Sequence, residues 1–379
     1  MWYRSRDIFK PIKLKDMYQD IPIKVTRVAQ SRIGQVDFNN LPFGVEFTDH
    51  MFTADYIDGE WQNFQIEPLK PLSIHPGNMA WHYGQAIFEG MKAVLNPEGQ
   101  PLLFRPDKHI ERLNNSAYRM RMPDFPKEAF LKGIKMLVEL EKHWIPKGEQ
   151  SALYLRPLMI ATDVHVGVRP SKTYKLIIMA LPVGPYYNKP LNVLVQTKYI
   201  RGVEGGVGFA KTAGNYGAAM YPTELAKEKG YDQVVWMEPK EFRYVQEAGT
   251  MNIMFRLKDK VVTPMLTGAI LPGITRDSIL HILRDWGIPV SEQKVDINEL
   301  LAAYKRGELI ECFGAGTAAV VAHVSNLHYE GFDMGFDASS WELSKKIKQA
   351  ITDIRNGKVE DKWGWTMSTA GALEEVVIS

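Results

Sequence analysis

The sequence predicts a mixed α/β protein of two domains. Segments with the apolar runs of strands alternate along the chain with segments that have helical spacing, which is the pattern of a mixed class. The chain has 379 residues, and domains of about 150 residues each would divide it in two. A stretch rich in proline lies near the middle, where a boundary between two such units is expected.

Two strands and two helices are predicted in the first half. Residues 102–105 form a short apolar strand that stops at Pro106, and a helix with Asp107 as its N-cap should follow. Residues 125–144 have the apolar spacing of an amphipathic helix. The unbroken apolar run of residues 175–181 predicts a buried strand.

The predicted domain boundary follows that strand. Residues 182–190 contain three prolines and one glycine, which exclude a helix or a central strand. We therefore predict an N-terminal smaller α/β domain of residues 1–181, a linker of residues 182–190, and a C-terminal larger domain of residues 191–379.

The second half predicts further helices and strands in alternation. One helix should end at Gly230, a C′ glycine. Thr275 is predicted to cap a second helix, which ends at Gly287. Residues 339–342 form a capping box that opens a last helix, which ends at Gly357. The strands are predicted at residues 191–196, 233–237 and 251–257.

Charge and composition exclude several classes of protein. Lys plus Arg is 46 and Asp plus Glu is 44, so the net charge of +2 is too small for a nucleic-acid or membrane-surface protein. No apolar run reaches the about 20 residues of a membrane span. The single cysteine, Cys312, excludes an internal disulfide and a cysteine-tetrahedral zinc site, and no metal site is predicted. Residues 1–15 lack the pattern of a secretory signal, so we expect a cytoplasmic protein.

Lys211 lies in a glycine-containing stretch, residues 205–216, where chemistry is expected. The spacing approaches that of a phosphate loop, but Ala210 replaces the glycine before the lysine, and Gly214-Asn215 should break the helix that a phosphate loop requires. What remains is a lysine in a tight turn, and a neutral lysine amine attacks carbonyl groups in Schiff-base enzymes. On spacing alone, a glycine turn with a solvated lysine is the simpler interpretation.

Two other turns are candidates for anion binding. Residues 314–319 fit a weak dinucleotide fingerprint, but no acidic residue about 20 positions later completes it. A strand-to-helix turn whose N–H groups and Thr317 hydroxyl bind a phosphate or carboxylate, and a turn without a ligand, are equally consistent with this motif. Residues 271–277 place a Pro-Gly turn before a helix, which is a second candidate, although an ordinary N-cap is commoner.

Two polar or aromatic segments complete the candidates. Glu247 lies just ahead of a predicted strand, where a solvated strand end is the simpler interpretation. Residues 82–90 are rich in aromatic residues and glycine, and they could form the wall of an apolar pocket or part of the core.

Together these segments resemble one family, the branched-chain amino acid aminotransferases, within the class IV (fold-type IV) pyridoxal-phosphate enzymes. The matching stretches follow the family's order from about residue 40 to the last helix. The resemblance implies two domains with pyridoxal 5′-phosphate between them, bound mainly by the C-terminal one. The matching stretches are residues 47–51, 82–92, 103–106, 116–119, 154–157, 182–187, 205–216, 247–252, 271–276 and 313–318.

The resemblance assigns a role to each matching residue. Lys211 matches the catalytic lysine that bonds covalently to the cofactor, Tyr216 the tyrosine at the cofactor's phenolic oxygen, and Glu247 the carboxylate that faces the pyridine nitrogen. Arg112 matches the phosphate-binding arginine. Ile274, Thr275 and Thr317 match the turns that complete the phosphate cradle, Tyr154, Thr250 and Ala318 match residues around the substrate carboxylate, and Phe43, Tyr83 and Phe88 match the aromatic walls of the side-chain pocket.

The resemblance also implies the reaction. L-leucine, L-isoleucine or L-valine gives its amino group to 2-oxoglutarate in a ping-pong sequence, which forms the branched 2-oxo acid and L-glutamate. Aromatic walls without charge at the far end of the pocket should accept all three substrates, because one methylene discriminates by only about 1–3 kcal/mol. A homodimer is implied, with no nucleic-acid or membrane partner. Some members carry a Cys-x-x-Cys pair where this chain has Ala319 and Ala322, so thiol control is not expected there.

Other functions fit parts of the same pattern. A D-amino acid aminotransferase or an aminodeoxychorismate lyase would share the fold and the lysine. A nucleotide-binding module would use the glycine-containing turns, and Ala210 argues against it. A catalytically silent scaffold would have no physical need for Lys211, Tyr216, Glu247 and Arg112 together.

Overall fold

A computed structural model describes residues 21–374, apart from residues 149 and 188. The segment predicted to lack a secretory signal therefore lies outside the described residues. The described chain forms two β-sheets with helices packed on them, so the predicted mixed α/β class is confirmed.

The first sheet lies almost entirely in the first half of the chain. Its order is β1-β3-β2-β8-β7-β5-β6-β19, and β4 pairs with β7 beside this path. The C-terminal strand β19 therefore returns to pair with β6 of the first half. The strands are β1 Lys24–Val25, β2 His50–Ile57, β3 Glu60–Pro68, β4 Ala86–Phe88, β5 Met91–Leu95, β6 Pro101–Phe104, β7 Ala152–Ala161, β8 Tyr174–Val183 and β19 Thr366–Ser368.

Strand β8 extends beyond its predicted end at Leu181. It continues through Pro182 and Val183, the first two residues of the predicted linker. Pro182 pairs with Leu153 of β7, whereas the pairing of β8 with β2 ends at Met179. A proline is tolerated there because that end of the strand has a neighbour on one side only.

The second sheet is built from the second half of the chain. Its order is β14-β13-β12-β16-β17-β9-β10-β11-β15, and β18 pairs with β17. Strands β16 and β17 form an antiparallel hairpin, so the turn after residue 316 joins two strands and the predicted strand-to-helix turn is wrong. The strands are β9 Leu191–Val195, β10 Gln233–Met237, β11 Tyr244–Ala248, β12 Asn252–Leu257, β13 Val261–Pro264, β14 Val290–Gln293, β15 Val295–Asp296, β16 Leu309–Gly316, β17 Val320–Tyr329 and β18 Phe332–Gly335.

Two helices begin at other residues than predicted, and three helices end where a glycine was expected to stop them, at Gly230, Gly287 and Gly357. Asp107 and Thr275 are each the second residue of their helices, whose N-cap residues are Arg105 and Gly273. Pro106 occupies the first helical position of α2, where its fixed φ is favourable and no N–H is needed. The helices are α1 Met79–Tyr83, α2 Pro106–Arg119, α3 Lys127–Leu140, α4 Ala213–Glu228, α5 Ile274–Asp285, α6 Ile297–Lys305 and α7 Glu342–Arg355.

Two apolar cores lie under the sheets. The first packs α2 and α3 against the first sheet through residues such as Leu113, Phe130 and Leu137, all fully buried. The second lies on one face of the second sheet, and α5 and α7 cover a further cluster beside β16 and β17. No helix within the described residues is long and apolar enough to cross a membrane.

Candidate active site

The backbone of Lys211 is fixed by two residues of the first half of the chain. Its N–H donates to Ser116 Oγ of α2 at 2.9 Å, and its carbonyl accepts from the N–H of Phe88 in β4 at 3.0 Å. The side-chain Nζ donates to Tyr216 Oη at 2.7 Å. The candidate lysine is therefore joined to α2 and β4 through its backbone, and its amine has a defined partner.

The loop before Lys211 can approach so closely only because position 208 is glycine. A Cβ there would lie 2.1 Å from the carbonyl oxygen of Ala269, which belongs to backbone and cannot move aside. The Asn215 side chain then donates to the carbonyls of Val207 and Ala210 at 2.8 and 2.9 Å. These bonds hold the loop on the first turn of α4, and the predicted break at Gly214-Asn215 is wrong because Asn215 supports this turn.

Aromatic rings surround the Lys211 amine. The Phe88 and Tyr216 ring centroids are 4.7 Å apart, at 61° to each other. The Nζ atom lies 4.7 Å from the Phe88 centroid and 5.0 Å from that of Tyr216. Two residues that the resemblance assigned to the cofactor, Lys211 and Tyr216, are thus in contact with each other and with Phe88, a predicted pocket wall.

Glu247 is a buried carboxylate, not a solvated strand end. It is 2% exposed and lies in β11, a strand that the sequence did not predict. Its Oε2 is 2.5 Å from Arg201 Nη1. Burial raises the pKa of Glu247 above its usual range, although the charges of Arg201, Lys211 and Arg112 lower it in part. The positive charges of these three residues therefore all act on the Glu247 carboxylate, which is expected if the four residues belong to one site.

Arg112 is held by an acidic residue that the sequence analysis did not single out. Its Nε and Nη2 donate to the two carboxylate oxygens of Glu89 at 2.7 and 2.8 Å, and Nη1 donates to the Pro272 carbonyl at 3.1 Å. His109 Nδ1 lies 2.7 Å from Glu89. Burial alone would raise the pKa of Glu89, but the Arg112 guanidinium lowers it well below its usual range.

Backbone donors for an anion lie at the start of α5. Its N-cap, Gly273, provides no side chain, so no side chain caps the first N–H groups of Ile274 and Thr275. Helix N-termini of this kind bind phosphate and carboxylate groups. A cavity between Ile274, Thr275 and Thr317 brings the turn of the β16–β17 hairpin to the same place.

Tyr154 and Phe43 form part of a second aromatic group. Their ring centroids are 5.1 Å apart, and Tyr154 is buried beside Gly90, where a Cβ would lie 1.8 Å from its hydroxyl oxygen. Arg156 Nη2 donates to Tyr154 Oη at 3.2 Å, and the Arg156 guanidinium lies over the Phe88 ring at 4.9 Å. A charged side chain therefore lies beside two of the predicted pocket residues, Phe88 and Tyr154.

Three predicted substrate residues lie outside these contacts. Tyr83 ends α1 and is 38% exposed, and its ring neighbour among the described residues is His82. Thr250 is exposed in the turn between β11 and β12. Ala318 lies in the β16–β17 turn, where its carbonyl accepts from Lys92 Nζ at 2.6 Å.

The sequence analysis missed the residues that hold the others in place. Glu89, Arg201, Ser116 and Arg156 each contact a predicted site residue, but none of them was assigned a role from the sequence. Glu89 and Arg156 are polar residues inside or next to apolar strands, and this was the signal that could have identified them.

Comparisons with known proteins agree on one family. Residues 86–327 match the family described as Amino-transferase class IV. The chain is 48% identical over 338 residues to branched-chain-amino-acid transaminase 1 of Bacillus subtilis, which covers 87% of this chain and 95% of that protein. A second Bacillus subtilis relative, branched-chain-amino-acid aminotransferase 2, is 45% identical. The alignment covers 94% of this chain and 99% of that protein.

A solved structure agrees at the level of the fold. The Escherichia coli branched-chain amino acid aminotransferase superposes with a TM-score of 0.70 at 26% identity, over 85% of this chain and 99% of that chain. The resemblance inferred from the motifs is thereby confirmed. This chain belongs to the class IV aminotransferases.

Proposed function

We propose that the protein is a branched-chain L-amino acid transaminase. It transfers the amino group of L-leucine, L-isoleucine or L-valine to 2-oxoglutarate in a ping-pong reaction with pyridoxal 5′-phosphate, and forms the branched 2-oxo acid and L-glutamate. The names of relatives aligned over most of the chain support the substrate class. The observation that carries the chemistry is the Lys211 amine, hydrogen-bonded to Tyr216 beside Phe88.

The residues present fit the cofactor. Lys211 supplies an amine for its aldehyde, and Glu247 is a buried carboxylate that suits a protonated ring nitrogen. Arg112 has N–H groups beyond the three that are bonded in the structure. With Ile274, Thr275 and Thr317 it would hold the phosphate. When bound, the cofactor supplies an aldehyde that accepts the amino group and a ring that withdraws electrons from the substrate Cα.

The chain's own groups position and move the protons. Lys211 Nζ is the group that removes the Cα proton of the substrate and later returns a proton, as a general base and then acid. Tyr216 fixes the position of this amine through its hydroxyl. Arg201 keeps Glu247 available as an anion, because a buried carboxylate without a cation would take up a proton.

Two substrates of different polarity must use one pocket. Phe43, Tyr83 and Phe88 would contact the branched side chain, and Tyr154, Thr250 and Ala318 the substrate carboxylate. Glutamate brings a second carboxylate. Arg156 is suited to that group because its Nε is buried without a hydrogen-bond partner among residues 21–374 that the structure describes, and its guanidinium lies against Phe88 and Tyr154.

We further propose that the active form is a cytoplasmic homodimer, and that residues 182–190 link its two domains near the substrate entrance. An exposed apolar patch supports the dimer: Trp81 on α1 is 62% exposed, and Val166 and Val168 are 70% and 89% exposed. A bridge between Asn78 and Val164 places that loop beside α1. Tyr83, at the end of the same helix, would close the pocket of the second copy.

An absorbance experiment tests the function. The purified protein with pyridoxal 5′-phosphate should be yellow, borohydride should remove the band, and L-leucine should bleach it with release of the 2-oxo acid. Lys211→Ala should lose turnover and the borohydride-sensitive band but keep its far-ultraviolet circular dichroism, whereas Lys198→Ala, an exposed lysine nearby, should behave as the wild type. Retained transamination in Lys211→Ala would refute the role of this lysine. Turnover of D-alanine in place of L-leucine would favour a D-amino acid aminotransferase.

A further inference from the structure

Arg105 lies where two helices of the proposed phosphate cradle meet. It is the N-cap residue of α2, the helix that carries Arg112, and it is 5% exposed. Its φ of +50° lies in the left-handed region, which is strained for a residue other than glycine. Strain of this kind persists only where surrounding contacts hold the residue in place. The contacts of Arg105 therefore indicate what this conformation serves.

The Arg105 side chain contacts the start of α5. Its Nη1 lies 2.7 Å from Asp277 Oδ2 and donates to Ser278 Oγ at 2.8 Å. The same nitrogen donates to the Ile274 carbonyl at 3.4 Å, and Ser278 Oγ donates to that carbonyl at 3.0 Å. Arg105 thus joins the N-terminus of α2 to the N-terminus of α5, and one of its contacts is to the first residue of α5.

A second set of contacts fixes Arg105 to the C-terminal segment. The Arg105 N–H donates to the Trp365 carbonyl at 2.6 Å, and the guanidinium lies 5.0 Å from the centroid of the Trp365 ring. Trp365 is 7% exposed and stacks on Trp363 with 4.4 Å between the ring centroids. These contacts restrict the position of the guanidinium, which a residue that sets the distance between two helices requires.

The contact at Ile274 reaches the phosphate cradle through one peptide group. The Ile274 carbonyl and the Thr275 N–H belong to the same planar unit, and this N–H is one of the donors assigned to the phosphate above. Donors on the carbonyl fix the direction of the N–H and polarise it. Among the described residues, Arg105 is not part of the wall of the cavity between Ile274, Thr275 and Thr317. It therefore acts on a bound phosphate through other groups.

The charge of Arg105 is unusual at this place. The N-terminus of a helix carries the positive end of its dipole, so a cation beside it is normally unfavourable. Asp277 offsets part of this charge, but its side chain is 47% exposed and water weakens its effect. A cation placed beside this end of the dipole strengthens the attraction of α5 for an anion.

We propose that Arg105 is a positioning residue for the cofactor phosphate. It holds the start of α5 at a fixed distance from α2, which carries Arg112, and it orients the Thr275 N–H. This role rests on the proposed function, because the phosphate is that of pyridoxal 5′-phosphate. Loss of the Arg105 side chain should therefore weaken the binding of the phosphate end of the cofactor and leave the binding of its ring and aldehyde unchanged.

A comparison of pyridoxal 5′-phosphate with pyridoxal, which lacks the phosphate, tests this role. Each is titrated into the full-length protein after removal of its cofactor, and binding is followed by absorbance. Arg105→Met should weaken the binding of pyridoxal 5′-phosphate about tenfold, the loss of one charge-assisted hydrogen bond, and change that of pyridoxal less than about twofold. Arg284→Met, at an arginine of α5 that is 54% exposed, is the control and should bind both compounds as the wild type does.

Ser278→Ala gives a second measurement, which does not depend on the folding of Arg105→Met. It removes the hydroxyl between Arg105 and the Ile274 carbonyl. We expect it to weaken the binding of pyridoxal 5′-phosphate about threefold, the loss of one neutral hydrogen bond, and to leave the binding of pyridoxal unchanged.

The outcomes separate this role from the proposed function. Equal weakening of both compounds in Arg105→Met would show a general structural role, and unchanged binding of both would show no role; either result overturns the proposal while the proposed function stands. If Arg105→Met does not fold, unchanged binding in Ser278→Ala overturns the proposal. A wild-type protein that binds neither compound would overturn the proposed function, and the role of Arg105 with it.

Discussion

At the scale of single residues, Glu89 connects the stability of the fold to the candidate phosphate site. Its carboxylate is fully buried and bonds both Arg112 and His109. A charge in such a position is stable only with its partners, and removing one member leaves the others buried and unpaired. Glu89 therefore holds Arg112 in place, and the stability of the fold depends on the negative charge of the Glu89 carboxylate.

We predict that Glu89→Gln lowers the free energy of unfolding by about 3 kcal/mol at pH 7. The folded-state pKa of Glu89 lies below its ordinary value of 4.5, so its contribution is complete above that pH and declines as the pH falls below it. The difference between variant and wild type should accordingly shrink in acid. Urea unfolding from pH 7 to pH 3 measures both effects, because the decline begins only near pH 4.5.

The matched control for that experiment is Glu111→Gln. Glu111 also pairs with two basic side chains, Lys108 and Lys127, but its side chain is 46% exposed. An exposed pair contributes less than about 1 kcal/mol. Equal losses of stability in Glu89→Gln and Glu111→Gln would contradict the argument from burial.

Arg156 gives a second prediction at this scale. We expect Arg156→Met to reduce kcat/KM for glutamate by about 10- to 100-fold, because a charge-assisted hydrogen bond is lost. The half-reaction with L-leucine should change by less than about threefold, since its side chain has no charge to bind. Single-turnover absorbance with each amino acid separates the two effects, and Arg284→Met on the surface of α5 is the control. Equal losses for leucine and glutamate would assign Arg156 a general structural role instead.

At the scale of elements, the N-terminus of α7 has a cap that the local sequence does not predict. The pattern at residues 339–342 predicted a capping box, but α7 begins at Glu342 with no side-chain cap from its own segment. The cap comes from Glu311 of β16, which accepts from the N–H groups of Leu343 and Ser344 at 3.0 and 2.9 Å. A cap from a residue 31 positions before the start of the helix has no local signature, which is why the sequence could not reveal it.

We predict that Glu311→Gln destabilises the protein by about 1–3 kcal/mol, because the amide loses one acceptor and the charge opposite the helix N-terminus. It also loses the ion pair with Arg256 Nη1, 2.5 Å away. Ser339→Ala, which removes the hydroxyl of the expected capping box, should change stability by less than about 0.5 kcal/mol. Thermal and urea unfolding of the two variants show which residue caps α7. A larger loss of stability in Ser339→Ala than in Glu311→Gln would favour the local capping box of residues 339–342.

At the scale of the whole molecule, the strands and glycine-ended helices were predictable, whereas long-range pairing was not. Residues 233–237 were predicted as a strand and form β10, because an apolar run bounded by turns determines a buried strand locally. Strand β11 was missed because Glu247 interrupts its apolar pattern, and its buried carboxylate is paired with Arg201, 46 positions away. The contact of Lys211 with Tyr216 spans only five positions, whereas the pairing of Arg112 with Glu89 spans 23 positions and required the fold.

The proposed active form also depends on contacts between two copies of the chain. We predict that Val166→Asp converts a dimer, of twice the 43.1 kDa chain mass, into monomers, because a charge in a buried apolar interface is costly. Turnover should fall with dissociation, since Tyr83 of the second copy would no longer close the pocket. Light scattering and activity are measured on the same samples. Val359→Asp, at a valine that is 49% exposed elsewhere on the surface, is the control and should remain dimeric and active. A fully active wild-type monomer would show that one chain completes the pocket by itself, and the exposed patch on α1 would then need another explanation.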